Sequence, residues 1–161
     1  MSCTQQERDL TCQNEFRIPE EGLYSMLATL TNHHSDVTCV ASNHRFFVTG
    51  SLDRTVRVFS ATDFSEYTVL THHTYHIRDV EFSPCGRYLA TCSSDGFAMV
   101  FDTETNPPFQ RIGQCQHPTR CDLRVVTFAY PQGERLATAG DDGSVCIWAF
   151  NPDSSVFFSI I

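Results

Sequence analysis

Apolar and polar side chains alternate along most of the chain and no helical periodicity is present, so the pattern predicts an all-β fold. The clearest unit opens with the apolar positions Ile77, Val80 and Phe82, which predict a first strand. The chain then reverses at Ser83-Pro84-Cys85-Gly86, where Pro and Gly favour a turn. Three further short strands are predicted at Tyr88–Cys92, Phe97–Phe101 and Phe109–Gly113. The same succession occurs before and after this unit.

Four short strands in roughly 40–45 residues are the repeating unit of a β-propeller blade. We expect one blade in each of three segments, 34–71, 72–115 and 116–161. Residues 1–22 are polar and rich in turn formers, which is typical of a flexible tail, and residues 23–31 are expected to form a lone outer strand. Propellers close with roughly four to eight blades, so three blades should form an incomplete, open ring with two exposed blade faces.

One phrase recurs once in each unit: a Thr, an Asp four residues later, and an aromatic residue six residues after that. The three copies are Thr49, Asp53 and Phe59; Thr91, Asp95 and Phe101; and Thr138, Asp142 and Trp148. The Asp residues are spaced 42 and then 47 residues apart. This spacing indicates a repeat architecture, and repeats of this kind build surfaces that bind partners.

The repeated residues resemble the signature of WD-repeat propellers. In that family a His before the first strand, a Ser or Thr, an Asp and a Trp form a buried hydrogen-bonded network. The resemblance implies that His34, His73 and His117 complete the three networks, although His117 lies two residues earlier than the second unit's spacing predicts. Only Trp148 supplies an indole donor, because Phe59 and Phe101 take its place in the first two units.

His, Thr and Asp are also the components of hydrolase triads, so a catalytic interpretation must be weighed. Three copies in register favour a structural network instead, because an active site needs one constellation. The Gly-x-Ser-x-Gly elbow of one hydrolase fold is absent. We therefore expect no catalytic residues. His72, His73 and His76 could form a metal or pH-sensitive cluster, but a loop His, a network His and a surface His is the favoured interpretation.

Composition and charge narrow the class of partner. A net charge of -8 disfavours a nucleic-acid backbone partner, which basic proteins bind. No apolar run is long enough to span a bilayer and Met1–Leu10 has no secretory h-region, so we expect a cytoplasmic or nuclear protein. The eight cysteines include no Cys-x-x-Cys pair and are expected to be reduced, mostly buried thiols. No cofactor or metal is expected.

Several phrases are similar to the N-terminal repeats of the WD-repeat, SAM and U-box domain-containing proteins. They include Ser51-Leu52-Asp53-Arg54-Thr55, Asp63-Phe64-Ser65-Glu66 and His73-Thr74-Tyr75. In that family the U-box recruits a ubiquitin-conjugating enzyme. The resemblance implies a non-catalytic protein-interaction scaffold, which would be the partner-binding part of a ubiquitin-ligase-type protein whose SAM and U-box domains this chain lacks. The alternatives are a propeller-based enzyme with a central-axis site and a non-functional or regulatory truncated fragment.

Other proteins or peptides are the expected partners. The exposed blade faces would also favour self-association or pairing with further repeats. Loop residues on a rigid scaffold often carry binding, and six residues lie in or beside the turns of one propeller face. These partner-binding candidates are Leu52, Arg54, Tyr75, His76, Phe97 and Asp141.

Overall fold

The computed structural model describes the chain at residues 25–129, 133, 135–151 and 156–160. All regular secondary structure in these ranges is β. The strands are β1 (Val37–Ser42), β2 (Phe46–Ser51), β3 (Val56–Ser60), β4 (Glu66–Leu70), β5 (Ile77–Phe82), β6 (Tyr88–Ser93), β7 (Phe97–Asp102), β8 (Gln110–Gln116), β9 (Leu123–Phe128), β10 (Arg135–Gly140), β11 (Val145–Asn151) and β12 (Val156–Ile160). No helix in the described part of the chain has the length and apolar character that crossing a membrane requires.

The chain divides into two compact units, Met1–Leu30 and Thr31–Ile161. The tail expected at residues 1–22 lies outside the described residues. The lone outer strand expected at 23–31 is wrong over residues 25–31, which adopt no strand. A strand satisfies its backbone N–H and C=O groups only through a neighbouring ladder, and an alternating pattern alone does not supply one.

The second unit consists of three antiparallel four-stranded sheets, each built from four consecutive strands. Each sheet is a meander, with orders β1-β2-β3-β4, β5-β6-β7-β8 and β9-β10-β11-β12. The contacts between sheets run from β1 and β2 to β5, and from β5 and β6 to β9. The three sheets are therefore successive blades of an open propeller arc.

Two apolar layers between the blades form the core. Between the first and second blades, Val48 and Val58 pack in one cluster with Leu89 and Phe101. Between the second and third blades, Ala90 and Val100 lie in a second cluster with Leu136, Val126 and Trp148. Both faces of the middle blade are apolar for this reason, which explains why its strands β6 and β7 are buried along most of their length.

Apolar side chains are exposed on the outer faces of the arc, whereas those on the inner faces are buried. On β1, Val40 is 67 % exposed. On the third blade, Val145 is 65 % exposed, and Val125 and Ile147 are exposed beside it. Strand register explains this contrast, because successive residues of a strand point to opposite faces and only one face of each end blade meets a neighbour.

The fourth strand of the middle blade begins one residue later than the pattern predicts and runs on to Gln116. Phe109 adopts a left-handed backbone with φ of 62° and its side chain is buried in the first core cluster. It therefore ends the loop rather than starting the strand. Phe109 is apolar because its side chain is buried. The sequence pattern alone could not distinguish a buried loop residue from the first residue of a strand.

Candidate functional site

The second blade contains the expected His–Thr–Asp network in full. His73 Nδ1 lies 2.9 Å from Asp95 Oδ2, and His73 Nε2 lies 2.8 Å from Thr91 Oγ1. The Thr74 amide donates to the same Asp95 oxygen at 3.0 Å. Burial alone would raise the pKa of Asp95, but hydrogen bonds from the His73 ring and from two backbone amides hold it below its ordinary value. Phe101 is buried but adds no hydrogen bond to this set.

The first blade has the same network with a different histidine. His33, not His34, contacts Asp53 Oδ2 at 2.8 Å and Thr49 Oγ1 at 2.7 Å. The expectation for the His34 ring is therefore wrong, and only its amide takes part, donating to Asp53 Oδ2 at 2.9 Å. The register explains the correction: His33 precedes the start of β1 by four residues, as His73 precedes the start of β5.

Burial would raise the pKa of Asp53, yet the pKa lies well below its ordinary value because donors surround the carboxylate. They are the Thr55 hydroxyl, the His34 amide and the His33 ring, in that order of strength, and then the Thr55 amide. Two serines outside the repeated Thr–Asp–aromatic phrase support these turns. Ser51 Oγ accepts from the Asp53 amide at 3.0 Å, and Ser93 Oγ accepts from the Asp95 amide at 3.1 Å.

The third blade brings only part of the expected set together. Trp148 Nε1 donates to Thr138 Oγ1 at 3.0 Å, the one indole bond that the sequence predicts. His117 is not joined to Thr138 by any described hydrogen bond. Its Nδ1 lies 3.7 Å from Asp142 Oδ2, with the Thr119 hydroxyl inserted between them. His117 precedes β9 by six residues whereas His73 precedes β5 by four, so the His117 ring starts from a different position in its loop.

The networks hold loops and turns at one edge of the three sheets, which we call the loop rim: residues 31–36, 71–76 and 117–122 with the turns 52–55, 94–96 and 141–144. In each blade a turn amide donates to a carbonyl of the preceding connection. The pairs are Leu52 N to Asp36 O, Ser94 N to His76 O and Asp141 N to Asp122 O, each at 3.0 Å. The rim is therefore tied to the blades by backbone bonds as well as by side chains.

The partner-binding candidates differ in their exposure. Tyr75 is 51 % exposed and contacts the His76 ring, with centroids 4.6 Å apart and the two rings tilted by 43°. Arg54 is exposed, with φ of 73°, and Asp141 is exposed and paired with Arg124. Leu52 is half-buried. Phe97, at the start of β7, is half-buried and packs against the first core cluster, so only part of its ring is available to a partner.

Exposed basic side chains on or beside the rim were missed by the sequence analysis. Arg120 is exposed in the connection before β9, with φ of 57°, and Arg124 is exposed at the start of that strand. Arg78, at the start of β5, donates from Nε to Ser94 Oγ at 2.7 Å. The rim also carries six carboxylates, so its overall charge is acidic: those of Asp36, Asp53, Asp95, Asp122, Asp141 and Asp142.

Meander blades, a His–Asp–Thr network at the loop edge and a Trp on a third strand define a WD-repeat β-propeller. The WD domain, G-beta repeat, matches this chain at residues 24–60, 64–102 and 114–148. The chain belongs to the WD40 repeat family. The crystal structure of Saccharomyces cerevisiae Sqt1 has a similar fold, with a TM-score of 0.73 and 16 % identity over 82 % of this chain and 36 % of that one.

Relatives at higher identity include the WD repeat, SAM and U-box domain-containing protein 1 of two vertebrates. The Danio rerio protein is 37 % identical over 80 % of this chain and 26 % of its own length. The Homo sapiens protein is 35 % identical over 64 % and 21 %. THO complex subunit 3 of Arabidopsis thaliana is 29 % identical over 81 % and 39 %. The chain thus spans about a quarter of the first relatives, and its WD repeats support a protein-interaction scaffold.

Proposed function

We propose that this chain is a non-catalytic, partner-binding propeller segment of a ubiquitin-ligase-type protein, and that the loop rim is its binding face. The observation that carries the proposal is the combination of a tied rim with exposed Arg54, Tyr75 and Arg120. Tyr and Arg are enriched among the residues that contribute most to binding at protein interfaces. A rim held by backbone bonds loses little conformational entropy when a partner docks.

The exposed guanidinium groups and aromatic ring of the rim favour a hydrogen-bonding protein segment that offers carboxylates to them. Arg54 and Arg120 offer guanidinium groups that recognise carboxylates through paired hydrogen bonds. Tyr75, in another segment of the same rim, offers a flat apolar ring with a polar end. The link to ubiquitin is supported by similarity to relatives whose names include a U-box.

An intracellular location is also part of the proposal. It is supported by the six free cysteines among the described residues.

The test compares proteins that co-purify with the wild-type chain and with two variants, using quantitative mass spectrometry. The rim variant carries Arg54→Glu and Tyr75→Ala. The control carries Arg45→Glu and His44→Ala at the opposite edge of the first blade, where both side chains are exposed. We expect at least one protein whose recovery falls roughly tenfold with the rim variant and is unchanged with the control, the size of one interface hot spot.

A set of co-purifying proteins that ignores the rim variant, or that depends equally on the control, would show that the rim is not the binding face. The ubiquitin part is tested separately, by measuring ubiquitin-modified peptides of the rim-dependent proteins in cells that express the chain or its rim variant. Equal modification in both would remove the ubiquitin link and leave the scaffold proposal standing.

A further inference from the structure

The third blade carries a group of metal-ligating side chains where the other two blades carry a hydrogen-bonded triad. His117, Cys121 and Asp142 each place one ligand atom within 4.8 Å of the other two. His117 Nδ1 lies 3.4 Å from Cys121 Sγ and 3.7 Å from Asp142 Oδ2. We propose that these three side chains bind a zinc ion.

The separation of His117 and Asp142 fits a shared metal better than a direct hydrogen bond. In the first and second blades the His–Asp distances are 2.8 and 2.9 Å, which are hydrogen-bond lengths. In the third blade the same pair has opened to 3.7 Å, and the Thr119 hydroxyl, which lies 3.0 Å from Nδ1 and 2.6 Å from Oδ2, has to turn aside for the ion. Two ligands of one tetrahedral zinc, at bond lengths of about 2.0–2.3 Å, lie about 3.3–3.6 Å apart. A small movement would close the set around the ion.

Two departures of the third blade from the other two create this arrangement together. The connections before β5 and β9 both have six residues, but His117 stands two positions earlier in its connection than His73 does, and Cys121 follows His117 by four residues and lies close to its ring. Gly140 occupies the position of Ser51 and Ser93, and a Cβ there would collide with the Cys121 sulfur. The space that a serine fills in the other blades is therefore occupied by a thiol.

The donor set matches the preferences of zinc, which binds imidazole nitrogen, thiolate sulfur and carboxylate oxygen. The His117 ring is 1 % exposed, so it is a fixed ligand, whereas the Asp142 side chain is 24 % exposed and leaves water access to a fourth position. Cys146 Sγ and Ser144 Oγ contact the opposite ring nitrogen, at 3.2 and 3.0 Å. They can hold the orientation of the ring, as outer partners of metal-bound histidines do.

The test is zinc titration of the purified 161-residue chain in competition with a chromophoric chelator, together with Co²⁺ as a spectroscopic probe. We expect one Zn²⁺ per chain, and a thiolate-to-Co²⁺ charge-transfer band when cobalt replaces it. Cys121→Ser should remove the band and weaken zinc binding by at least about tenfold to a hundredfold. Asp142→Asn should weaken binding and keep the band. Cys85→Ser changes an exposed thiol in a turn of the second blade and should match the wild type.

Trp148 fluorescence and far-ultraviolet circular dichroism establish that each variant is folded before its binding is compared. Absence of stoichiometric zinc at micromolar concentrations would overturn the site. So would a Cys121→Ser variant that is folded and binds zinc and cobalt like the wild type. A charge-transfer band that is lost in Cys146→Ser but kept in Cys121→Ser would also overturn the assignment, because Cys146 lies at the other ring nitrogen.

Discussion

Replacing Thr91 by Val tests whether the His–Thr–Asp network stabilises the blade. Thr91 is fully buried, and its hydroxyl is the partner of His73 Nε2 at 2.8 Å. The Asp95 carboxylate can only accept, so in the neutral ring Nδ1 carries the proton and Nε2 accepts from the Thr91 hydroxyl. Val has nearly the same volume, so the change removes the hydrogen bond without leaving a cavity.

The expected cost is that of leaving a buried polar atom unpaired. Such a loss is worth about 1–3 kcal/mol, and His73 is buried enough that water cannot replace the hydroxyl easily. With a urea dependence of about 2 kcal/mol per molar, the midpoint of unfolding should fall by about 0.5–1.5 M. The dependence itself should not change, because the surface exposed on unfolding stays the same.

The assay is urea unfolding followed by the fluorescence of Trp148, the single tryptophan, and by far-ultraviolet circular dichroism. Agreement of the two signals shows that the three blades unfold together, which repeat proteins do not always do. Thr68→Val on the outer strand β4 is the matched control, since its half-buried hydroxyl has no described hydrogen bond. It should change the stability by less than about 0.5 kcal/mol.

Thr91→Ser gives the second comparison, since it keeps the hydroxyl and removes a methyl group. It should lose about 1 kcal/mol through packing but keep the network. A Thr91→Val urea midpoint indistinguishable from that of Thr68→Val would refute the role of the hydrogen bond. Equal losses of stability in Thr91→Ser and Thr91→Val would also refute it, if a double variant at Thr91 and His73 showed no coupling energy.

Two further predictions concern the packing between blades and the acid limb of stability. Gly50→Ala places a Cβ 2.5 Å from Ile77 Cγ2 and 2.6 Å from Cys39 Sγ, so overpacking should lower the free energy of unfolding in urea by about 1–3 kcal/mol. Adding Cys39→Ala to the same chain should recover part of the lost stability, and a double variant with no recovery would contradict this contact. The pKa of Asp95 is lowered in the folded state, so its stabilisation is present above its ordinary value near 3.8 and is lost as pH falls through the folded value. Asp95→Asn should therefore be less stable than the wild type at pH 7, and its stability should fall less steeply below about pH 4. Asp36→Asn is the control and should follow the wild type. Equal slopes of stability against pH in Asp95→Asn and the wild type would count against this role of Asp95.

Local patterning was sufficient to predict the strands and the residues of the second network. Alternation and turn residues located four strands per blade, because each half-buried strand must repeat with a period of two. His33 could also have been found from the sequence, by counting four residues back from β1 as from β5 to His73. His34 stands only three residues before β1, so its ring does not take the position that His73 takes before β5.

Other features depended on contacts between distant parts of the chain. Phe97 and Phe109 look like exposed loop and strand residues in sequence, yet both pack in the layer between the first two blades. Cys121 approaches His117 only because Gly140, on a different strand, leaves room for its sulfur. Residue spacing within one segment cannot predict this space, because the space exists only where a residue on another strand has no side chain.

Periodicity and turn chemistry along the chain were enough to establish the all-β class, the blade repeat and the three Thr–Asp–aromatic phrases. Contacts between the folded blades were needed to establish which histidine joins each network, which apolar faces stay exposed, and that the third blade gathers an imidazole, a thiol and a carboxylate at one point. Hydrogen bonds and ligand sets depend on distances of about 3–4 Å between atoms far apart in sequence, and periodicity does not report such distances. They are set by the position of each side chain in its loop and by the packing of one blade against the next.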